Sequence, residues 1–372
     1  MNSLSDPPRI LHLVETGGLY GAEKVILNLA LETIAAGSFV PVIGCIVSAS
    51  DEDTDLLKAA RAAGIETARV VLGNRDFWWQ IAGVALRLKR SGIGVIHSHG
   101  YKATIYGYLV HLLTHIQVTA TCHLWFLSEG VPLKTRVLIR LEKYLYRHYP
   151  AVVAVSESIA EILITSGVPA DKVRVVENGI ELKEPVVANK RTFGAVPQVL
   201  NVGRLVSQKA QSDLIQAVAI LARRGTRITV DIAGDGELRD QLADQLAREG
   251  LGMAIRLLGF RDDINDLLEV TDVFVLPSVM EGMPVSLLEA VAAGVPVITT
   301  AVGDIPKLIT HEVSGLLVKV GDAEGLADAI QRTINDPVAA FRMADVARQV
   351  LHARYSCGKM YGKYAEIYSR LL

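Results

Sequence analysis

The alternation of short apolar segments with longer amphipathic ones constrains the fold of this chain more than any other feature. In the first half, segments of helical period such as GAEKVILNLALETIAAG and DLLKAARAAG lie between strand-like segments, namely RILHLVE, VPVIGCIVS, TARVVL, GVIHSH, QVTATCH and AVVAVS. Strands that are almost continuously apolar are typical of a parallel sheet covered by helices on both faces. The first half is therefore predicted to be a doubly wound α/β domain.

The pattern stops at a polar segment and then begins again. Residues 177–198, ENGIELKEPVVANKRTFGAVPQ, contain two prolines and no helical period, which indicates a linker. QVLNVGR, RITVDIAG, IRLLGF, VFVLPS, VPVITTA and GLLVKV follow, each with a helical segment after it. We predict Rossmann-like domains over 1–182 and 198–356, a linker over 183–197, and a last helix, 357–372, that joins the first domain. Two such domains facing a central cleft would bind ligands at the carboxyl ends of both sheets.

Length and composition narrow the class of protein. The chain has 372 residues, more than one hydrophobic core usually serves, and it is 50% hydrophobic and 21% charged, as in a globular enzyme. Its 38 Lys and Arg against 40 Asp and Glu give no sign of a nucleic-acid partner. The three cysteines form no CxxC pair, which argues against a disulfide framework and fits a cytoplasmic protein. The N-terminal MNSLSDPPRI lacks the basic and apolar regions of a signal peptide.

Glycines and cations follow the first strand of each predicted domain. In ETGGLYGAEK, Gly17 and Gly18 allow close backbone approach, and the next helix offers N–H groups to a phosphate. The dinucleotide fingerprint G-x-G-x-x-G is incomplete, so a plain tight turn is the alternative. In NVGRLVSQKA, Arg204 and Lys209 lie where a diphosphate would need its charge neutralised. The alternative for this pair is that both cations are simply solvated at the surface.

The segment SVMEGMPVSLLEA carries two carboxylates around a helix start. Pro284 suits the first turn of the helix VSLLEAVAAG, which Gly294 closes, so Glu281 lies in the loop and Glu289 one to two turns inside the helix. Carboxylates accept hydrogen bonds from hydroxyls. Together with the two cations, they predict a ligand with both phosphates and sugar hydroxyls, which is a nucleotide sugar.

These motifs stand in an order that resembles glycosyltransferase family 4. The second half carries VGRLVSQKA, AGDGELRDQL, LLGF, VFVLPSVMEGMPVSLLEAVAAGVPVIT and ARYSCGKMYGKYAEIYSRLL, and the first half carries GGLYGAEKVILNLA, HSHG, TCH, AVSES and ENGIE. The similarity covers almost the whole chain. It implies the GT-B fold and retaining transfer of a sugar from a nucleoside diphosphate to an acceptor hydroxyl. Enzymes of this fold neutralise the leaving group with cations and helix dipoles, so neither a metal nor a cofactor is expected.

The resemblance implies a role for each matching position. Arg204 and Lys209 would hold the donor diphosphate. Glu281 would contact hydroxyls of the transferred sugar, and Glu289 would contact the ribose. The remaining donor contacts would come from the amides of Gly282, Met283 and Val285, from Gly18 near the diphosphate, and from His123 near the donor sugar.

Two segments depart from the family pattern. Lys209 is followed by Ala210 where a glycine is usual, and VGDIPKLI places Asp304 and Lys307 where two glycines and a glutamate are common. Neither change touches the donor contacts. Both bear on the acceptor side or on packing near the cleft.

Cysteine and histidine pairs in the first half suggest other chemistry at first sight. Cys122 and His123 are adjacent in a predicted strand, so their side chains point to opposite faces and cannot form a thiol dyad. His97 and His99 share a face, but no carboxylate at suitable spacing completes a zinc set. No metal site is predicted.

The acceptor side is less defined. Residues 133–149, LKTRVLIRLEKYLYRHY, form a basic amphipathic helix that is either a solvated face or a contact with an anionic membrane presenting a lipid-linked acceptor. Trp78 and Trp79 in DFWWQ form either a hydrophobic acceptor lip or ordinary core, and His99 is a further acceptor-side candidate. The uncharged run 103–128 is predicted to split into a helix and a strand rather than to cross a membrane.

The predicted function is a retaining hexosyltransferase that acts on a glycan, lipid or small-molecule acceptor. Its predicted location is cytoplasmic, either free or peripheral at the inner face of the membrane. No carboxylate is placed for a double displacement, so same-face displacement assisted by the leaving phosphate is preferred. The alternatives are a nucleotide-sugar epimerase or phosphorylase of the same fold, a non-catalytic sugar-nucleotide sensor, and a nicotinamide oxidoreductase. The incomplete fingerprint weighs against the oxidoreductase.

Overall fold

The chain folds into two compact units. The computed structural model describes residues 7–16, 18–48, 53–72, 76–123, 133–182 and 192–372. The first unit combines Met1–Gly179 with Cys357–Leu372, and the second is Ile180–Ser356. Most of the predicted linker, 183–191, lies outside the described residues.

The first unit is built on a parallel sheet. Within the described residues it has seven strands in the order β3-β2-β1-β4-β5-β6-β7, so the strand order reverses between β1 and β4. Six of these strands were predicted, and the seventh was missed because it is a three-residue, half-buried segment. The strands are β1 Arg9–Val14, β2 Val40–Val47, β3 Glu66–Val71, β4 Ile93–His99, β5 Gln117–Cys122, β6 Ala151–Ala154 and β7 Val173–Val175.

Helices cover both faces of this sheet, as predicted. Leu11 and Ile96 belong to a core on one face, with side chains of α3, α4 and α5, and Val14 and Ile43 belong to a second core with α1 and α2. The last helix, α13, contacts α1. The helices are α1 Gly21–Ala36, α2 Asp55–Ala62, α3 Phe77–Arg90, α4 Tyr101–Thr114, α5 Leu133–Tyr146, α6 Glu157–Thr165 and α13 Cys357–Leu371.

The second unit repeats this architecture. Its sheet is parallel, and the described part has six strands in the order β10-β9-β8-β11-β12-β13, with the reversal between β8 and β11. All six predicted strands are confirmed. They are β8 Gln198–Val202, β9 Thr229–Ala233, β10 Ile255–Gly259, β11 Val273–Leu276, β12 Val297–Thr300 and β13 Leu316–Val318.

Helices again lie on both faces of the second sheet. Leu214 and Ile330 belong to a core with α7, α8 and α11, and Phe274 and Leu287 belong to a core on the side of α9, α10 and α12. The predicted doubly wound class is therefore confirmed for both units. The helices are α7 Gln211–Arg223, α8 Arg239–Glu249, α9 Ile264–Val270, α10 Val285–Ala292, α11 Ala323–Asn335 and α12 Pro337–Arg354.

The uncharged run over 103–128 does split into a helix and a strand, α4 and β5, with residues 124–128 outside the described part. In the described ranges no helix is both long enough and apolar enough to cross a membrane. The three cysteines are free and buried.

Candidate functional site

The predicted donor-binding residues of the second unit lie where the strand order of its sheet reverses. β8 and β11 are neighbours, and in open parallel sheets the crevice at such a reversal is where ligands bind. Lys209 ends a short 3-10 turn after β8, and Glu281 lies in the loop after β11. Their side chains meet: the Lys209 Nζ donates to Glu281 Oε1 at 2.6 Å, with 15% and 7% of the two side chains exposed. The sequence placed both residues at the ligand but did not predict this ion pair.

Backbone contacts fasten the Glu281 loop on both sides. The Val279 amide donates to the Gln208 carbonyl at 2.8 Å, and the Asp304 amide donates to the Gly282 carbonyl at 3.0 Å. Gly303 lies so close that a Cβ there would be 2.1 Å from the Glu281 carbonyl oxygen. The loop that carries Glu281 is therefore held by its neighbours on the sheet before any ligand binds.

A second close approach fixes the turn that carries Arg204. Gly234 has φ of 146°, and a Cβ there would lie 1.9 Å from the Gly203 carbonyl oxygen. The Leu205 amide donates to the Asp235 carbonyl at 2.9 Å. Only glycine therefore fits where the two loops after β8 and β9 approach each other. The Arg204 side chain is exposed at this edge.

Helix α10 begins at Val285, the first residue of the predicted helix VSLLEAVAAG, but the position of Pro284 differs from the prediction. Pro284 is its N-cap, with φ −71° and ψ 128°, and it lies before the first turn rather than in it. The reason is that its extended ψ keeps it outside the helix, while its carbonyl accepts from the Leu287 and Leu288 amides at 3.2 and 3.3 Å. The N–H groups of Val285 and Ser286 precede the first helical bond and remain as donors at the helix start. Glu289, half-buried, is one turn inside the helix, as predicted.

The two departures from the family pattern have local structural consequences. Ala210 adopts a left-handed conformation, with φ 48° and ψ 39°, which explains why a glycine is usual there. Asp304 is buried and accepts from Lys307 Nζ at 2.9 Å. The two exchanged residues thus pair with each other beside the Glu281 loop.

In the first unit, the glycine turn after β1 is closed by local bonds. The Gly18 amide donates to Thr16 Oγ1 at 3.2 Å, and that hydroxyl donates back to the Gly18 carbonyl at 2.7 Å. The ring of Tyr20 covers the Gly18 backbone, since a Cβ on Gly18 would lie 2.9 Å from it. Gly17 lies outside the described residues.

Four histidines lie side by side at the reversal of the first sheet. His99 Nδ1 is 3.2 Å from His123 Nε2, and His99 Nε2 is 3.3 Å from His12 Nδ1. The fourth, His97, bonds instead to Tyr368 Oη and Thr121 Oγ1, each at 2.7 Å. Burial lowers the pKa of His12 and His123 to about 4 and that of His97 and His99 well below 6.5, so all four rings are neutral at pH 7.

The sequence analysis identifies three of these four histidines. It noticed His97, His99 and His123 but missed His12, whose only signal is a polar residue inside the apolar strand RILHLVE. His12, His97 and His99 place one ligand atom each within 4.8 Å of one another, which is a geometry that could hold a metal ion. Both nitrogens of His97 already bond to hydroxyls, however. The thiol of Cys122 lies in the hydrophobic core, away from this row, so no thiol–imidazole dyad forms.

The tryptophans predicted on the acceptor side are at the surface. Trp78 and Trp79 are 71% and 81% exposed in the first turn of α3, which rules out core packing for them. Phe77 beside them lines a cavity of about 430 Å³ at the carboxyl edge of the first sheet. The other lining residues include an apolar group and a charged group: Leu72, Leu138 and Leu141, and Glu15, Lys102 and Lys134.

The basic helix, α5, carries an apolar strip on its outer face. Four apolar residues on one stripe of the helix are exposed, and the basic residues flank them, while Ile139 and Glu142 face inward. The apolar four are Leu133, Val137, Leu141 and Tyr144, with exposed fractions of 76, 52, 39 and 54%. The flanking cations are Lys134, Arg136, Arg140 and Lys143. Arg147, beyond the helix end, instead donates to the Ser166 carbonyl at 3.0 Å.

Solved structures share this fold over almost the full length. The Anabaena protein HepE, in complex with UDP-glucose, superposes with a TM-score of 0.82, at 23% identity over 98% of this chain and 100% of its own. At this level of identity the likeness defines the fold, which is GT-B.

Sequence families identify the protein more closely. Residues 20–184 match Glycosyltransferase Family 4, and residues 186–350 match Glycosyl transferases group 1. The chain belongs to the family 4-type glycosyltransferases. It is 34% identical to the amylovoran biosynthesis glycosyltransferase AmsK of Erwinia amylovora over 261 residues, 65% of this chain and 63% of that one. It is 28% identical to the glycogen synthase of Mycobacterium tuberculosis over 94% of this chain and 90% of that one.

Proposed function

We propose that this glycosyltransferase moves a hexose from a nucleoside diphosphate to an acceptor hydroxyl, with retention of configuration and without a divalent metal. The observation that carries the proposal is the Lys209–Glu281 ion pair at the reversal of the second sheet, next to the N-terminus of α10. This edge of the sheet presents a cation, a carboxylate and helix N–H groups on neighbouring loops that are hydrogen-bonded to one another. A ligand with phosphates and sugar hydroxyls uses all three.

The reaction follows from these groups. The acceptor oxygen attacks the anomeric carbon on the face from which the diphosphate leaves, and the bond between that carbon and the phosphate oxygen breaks. The departing phosphate oxygen takes the acceptor proton, so the products are a glycoside and a nucleoside diphosphate. Lys209, Arg204 and the first N–H groups of α10 stabilise the negative charge that grows on the leaving group.

Glu281 has two functions in this proposal. Before the donor binds, its carboxylate holds the Lys209 ammonium in place; afterwards it accepts hydrogen bonds from hydroxyls of the transferred sugar. Glu289 contacts the ribose, and the amides of Gly282, Met283 and Val285 support sugar and phosphates. Gly18 and His123 keep the donor-side roles that the family resemblance implies.

Titration with nucleotides tests the donor assignment. Calorimetry in EDTA is expected to show binding of a nucleoside diphosphate, and UDP is tested first because HepE binds UDP-glucose. Binding that requires added magnesium or manganese would refute the metal-free claim. Proton NMR of the product anomeric centre tests retention, and an inverted product excludes the same-face mechanism.

Two glutamate variants separate the sugar contact from the ribose contact. Glu281→Gln is expected to lower the affinity for the intact donor more than the affinity for the free nucleoside diphosphate, which lacks the transferred sugar. Glu289→Gln is expected to lower the affinity for both ligands. Glu269→Gln, at an exposed position of α9, is the matched control and should change neither. Equal losses of affinity for both ligands in Glu281→Gln would contradict the assignment of the sugar contact to Glu281 and the ribose contact to Glu289.

For the acceptor, we propose an amphiphile with an anionic head group, presented at a membrane surface. The cavity beside Phe77 combines apolar walls with Lys134 and with Lys102, which is ion-paired with Glu15 of the same lining. The outer face of α5 is apolar with cations on both sides, and its one acidic residue, Glu142, is buried. This arrangement is typical of helices that lie in the headgroup region of an anionic bilayer. Exposed Trp78 and Trp79 suit the same boundary.

Vesicle sedimentation tests the membrane contact. The protein is expected to sediment with vesicles rich in phosphatidylglycerol and not with pure phosphatidylcholine, and Arg136→Glu with Arg140→Glu should abolish the binding. Arg342→Glu, at an exposed position of α12, is the control for a general charge effect. Unchanged binding in the double variant would show that α5 is only a solvated surface.

A further inference from the structure

His12, His99 and His123 form a hydrogen-bonded row that ends at an unpartnered atom. His123 Nε2 and His99 Nδ1 are 3.2 Å apart, and His99 Nε2 and His12 Nδ1 are 3.3 Å apart. His12 Nε2 is buried and finds no hydrogen-bond partner among the described residues. The row therefore has a closed end in the core at His12 and its other end at His123.

The sheet itself builds this row. His12 lies on β1 opposite His97 of β4, and His99, two residues on, shares the face of His97 and lies beside Thr121 of β5. His123 follows the end of β5 directly. Three neighbouring parallel strands thus place one ring each in line, towards their carboxyl ends.

His97 does not take part in the row, although its ring lies 4.1 Å from that of His99, centroid to centroid. Its two nitrogens bond to Tyr368 Oη and Thr121 Oγ1. Thr121 in turn bonds to Tyr364 Oη at 3.0 Å. Because hydroxyl groups satisfy both nitrogens of His97, the hydrogen bonds of the part of the chain that the structure describes couple the proton positions of the other three rings to one another.

A neutral imidazole carries one N–H, so each ring in the row donates once and accepts once. If His12 carried its proton on Nε2, the chain would bury an N–H without an acceptor, and orphaned buried N–H groups are rare. His12 therefore carries the proton on Nδ1 and donates to His99 Nε2. His99 then carries its own proton on Nδ1 and donates to His123 Nε2. The proton of His123 is left on Nδ1.

We propose that His12 and His99 are positioning residues that hold the proton of His123 on Nδ1, so that this ring presents an N–H donor to a substrate oxygen. The role of His123 at the substrate rests on the proposed function. The tautomer itself rests only on the hydrogen bonds of the first unit. Nothing in the family assignment requires His12 to have this part.

Two substitutions at His12 separate the hydrogen bond from simple packing. His12→Leu fills the space but removes the Nδ1 donor. His12→Asn retains an amide N–H close to the position of Nδ1 and is expected to restore the row. With the protein labelled at its nine histidines, two-bond ¹H–¹⁵N spectra at pH 7.5 distinguish Nδ1–H from Nε2–H rings, and His99→Gln and His123→Gln assign the signals.

The wild type and His12→Asn are expected to show His123 with its proton on Nδ1, whereas His12→Leu is expected to show a large Nε2–H fraction. In the transfer assay, kcat of His12→Leu should fall roughly tenfold or more, with His12→Asn near the wild type. Thermal unfolding of both variants, measured separately, shows whether an activity loss comes from lost structure.

Three results would overturn the proposal. One is an Nε2–H ring at His123 in the wild type. Another is an equal loss of kcat in folded His12→Asn and His12→Leu. The third is stoichiometric zinc in the purified wild type that His12→Leu lacks, because a metal between the rings would replace their hydrogen bonds. Absence of any transferase activity with the expected tautomer intact would refute the proposed function and leave the tautomer assignment standing.

Discussion

The ion pair between Lys209 and Glu281 makes the two residues dependent on each other in a measurable way. We consider Lys209→Met, Glu281→Gln and the double variant. With a distance of 2.6 Å and side chains 15% and 7% exposed, the pair is closer to a buried than to a surface ion pair. Removal of one partner leaves a charge without its counter-charge in a poorly solvated place, while removal of both leaves none.

The unfolding free energy lost when this ion pair is broken is expected to lie between two known limits. Exposed pairs contribute about 0.2–1 kcal/mol, and breaking a fully buried pair costs about 3–5 kcal/mol. Each single variant should therefore lose about 2–3 kcal/mol of unfolding free energy. Lys209→Met should lose more, because Glu281 is the less exposed partner. The double variant should lose less than the sum, with a coupling energy of about 2 kcal/mol.

Differential scanning calorimetry in 0.05 and 0.5 M salt measures this cycle. For a unit of this size, each kcal/mol corresponds to roughly 2–4 °C in Tm, so the single variants should unfold about 4–12 °C below the wild type. Arg224→Met, which breaks the exposed contacts to Asp328 and Glu324, is the matched control and should lose less than about 1 kcal/mol. Strict additivity in the double variant would refute the reasoning.

Three further predictions concern other parts of the structure. Gly234→Ala should destabilise the chain by about 3 kcal/mol or more, because its φ of 146° and the contact with Gly203 exclude a side chain; denaturation with an unchanged midpoint would contradict this. Ala210→Val should lower Tm and Ala210→Gly should not, since a β-branched residue is strained at φ 48°; equal Tm values would show that the turn relaxes. Burial lowers the pKa of His12 to about 4, whereas a histidine in the unfolded chain titrates near 6.5. Between these values the unfolded chain binds more protons than the folded chain. The free energy of unfolding should therefore decrease as the pH falls from about 6.5 to 4. Urea denaturation should show this loss of unfolding free energy, about 3 kcal/mol from the His12 ring. The loss should be smaller in His12→Asn. It should be the same as in the wild type in His115→Asn, which changes an exposed histidine.

The sequence predicted most of the fold because each strand and helix carries its own periodic signal. Segments such as VFVLPS and VPVITTA are apolar throughout and are bounded by turn residues, so their strands were found. Val173–Val175 was missed, because three half-buried residues hold too little pattern to separate a strand from a loop. Pro284 was placed one residue too far into α10, since its fixed φ suits either position.

The candidate site was predicted less completely, because its contacts join residues far apart in the chain. Lys209 and Glu281 were each assigned a ligand, but neither position signals that the two side chains bond to each other across 72 residues. Tyr368, which bonds to His97, and Tyr364, which bonds to Thr121, both lie on the last helix. No local sequence pattern connects these tyrosines with strands more than 240 residues earlier. Only the packed sheet brings these groups together.

The return of α13 to the first unit has a consequence for how the protein is made. As the ribosome releases the chain from its N-terminus, the strands of the first sheet emerge early, but Tyr364 and Tyr368 emerge only after the strands of the second sheet. Until then His97 has no hydroxyl for its Nδ1, and the surface of α1 that contacts α13 is uncovered. The nascent first unit should therefore stay incompletely packed throughout translation of the second. A stop codon at position 357 should give a chain that binds chaperones for longer than the full-length protein does, even though every strand of both sheets is present.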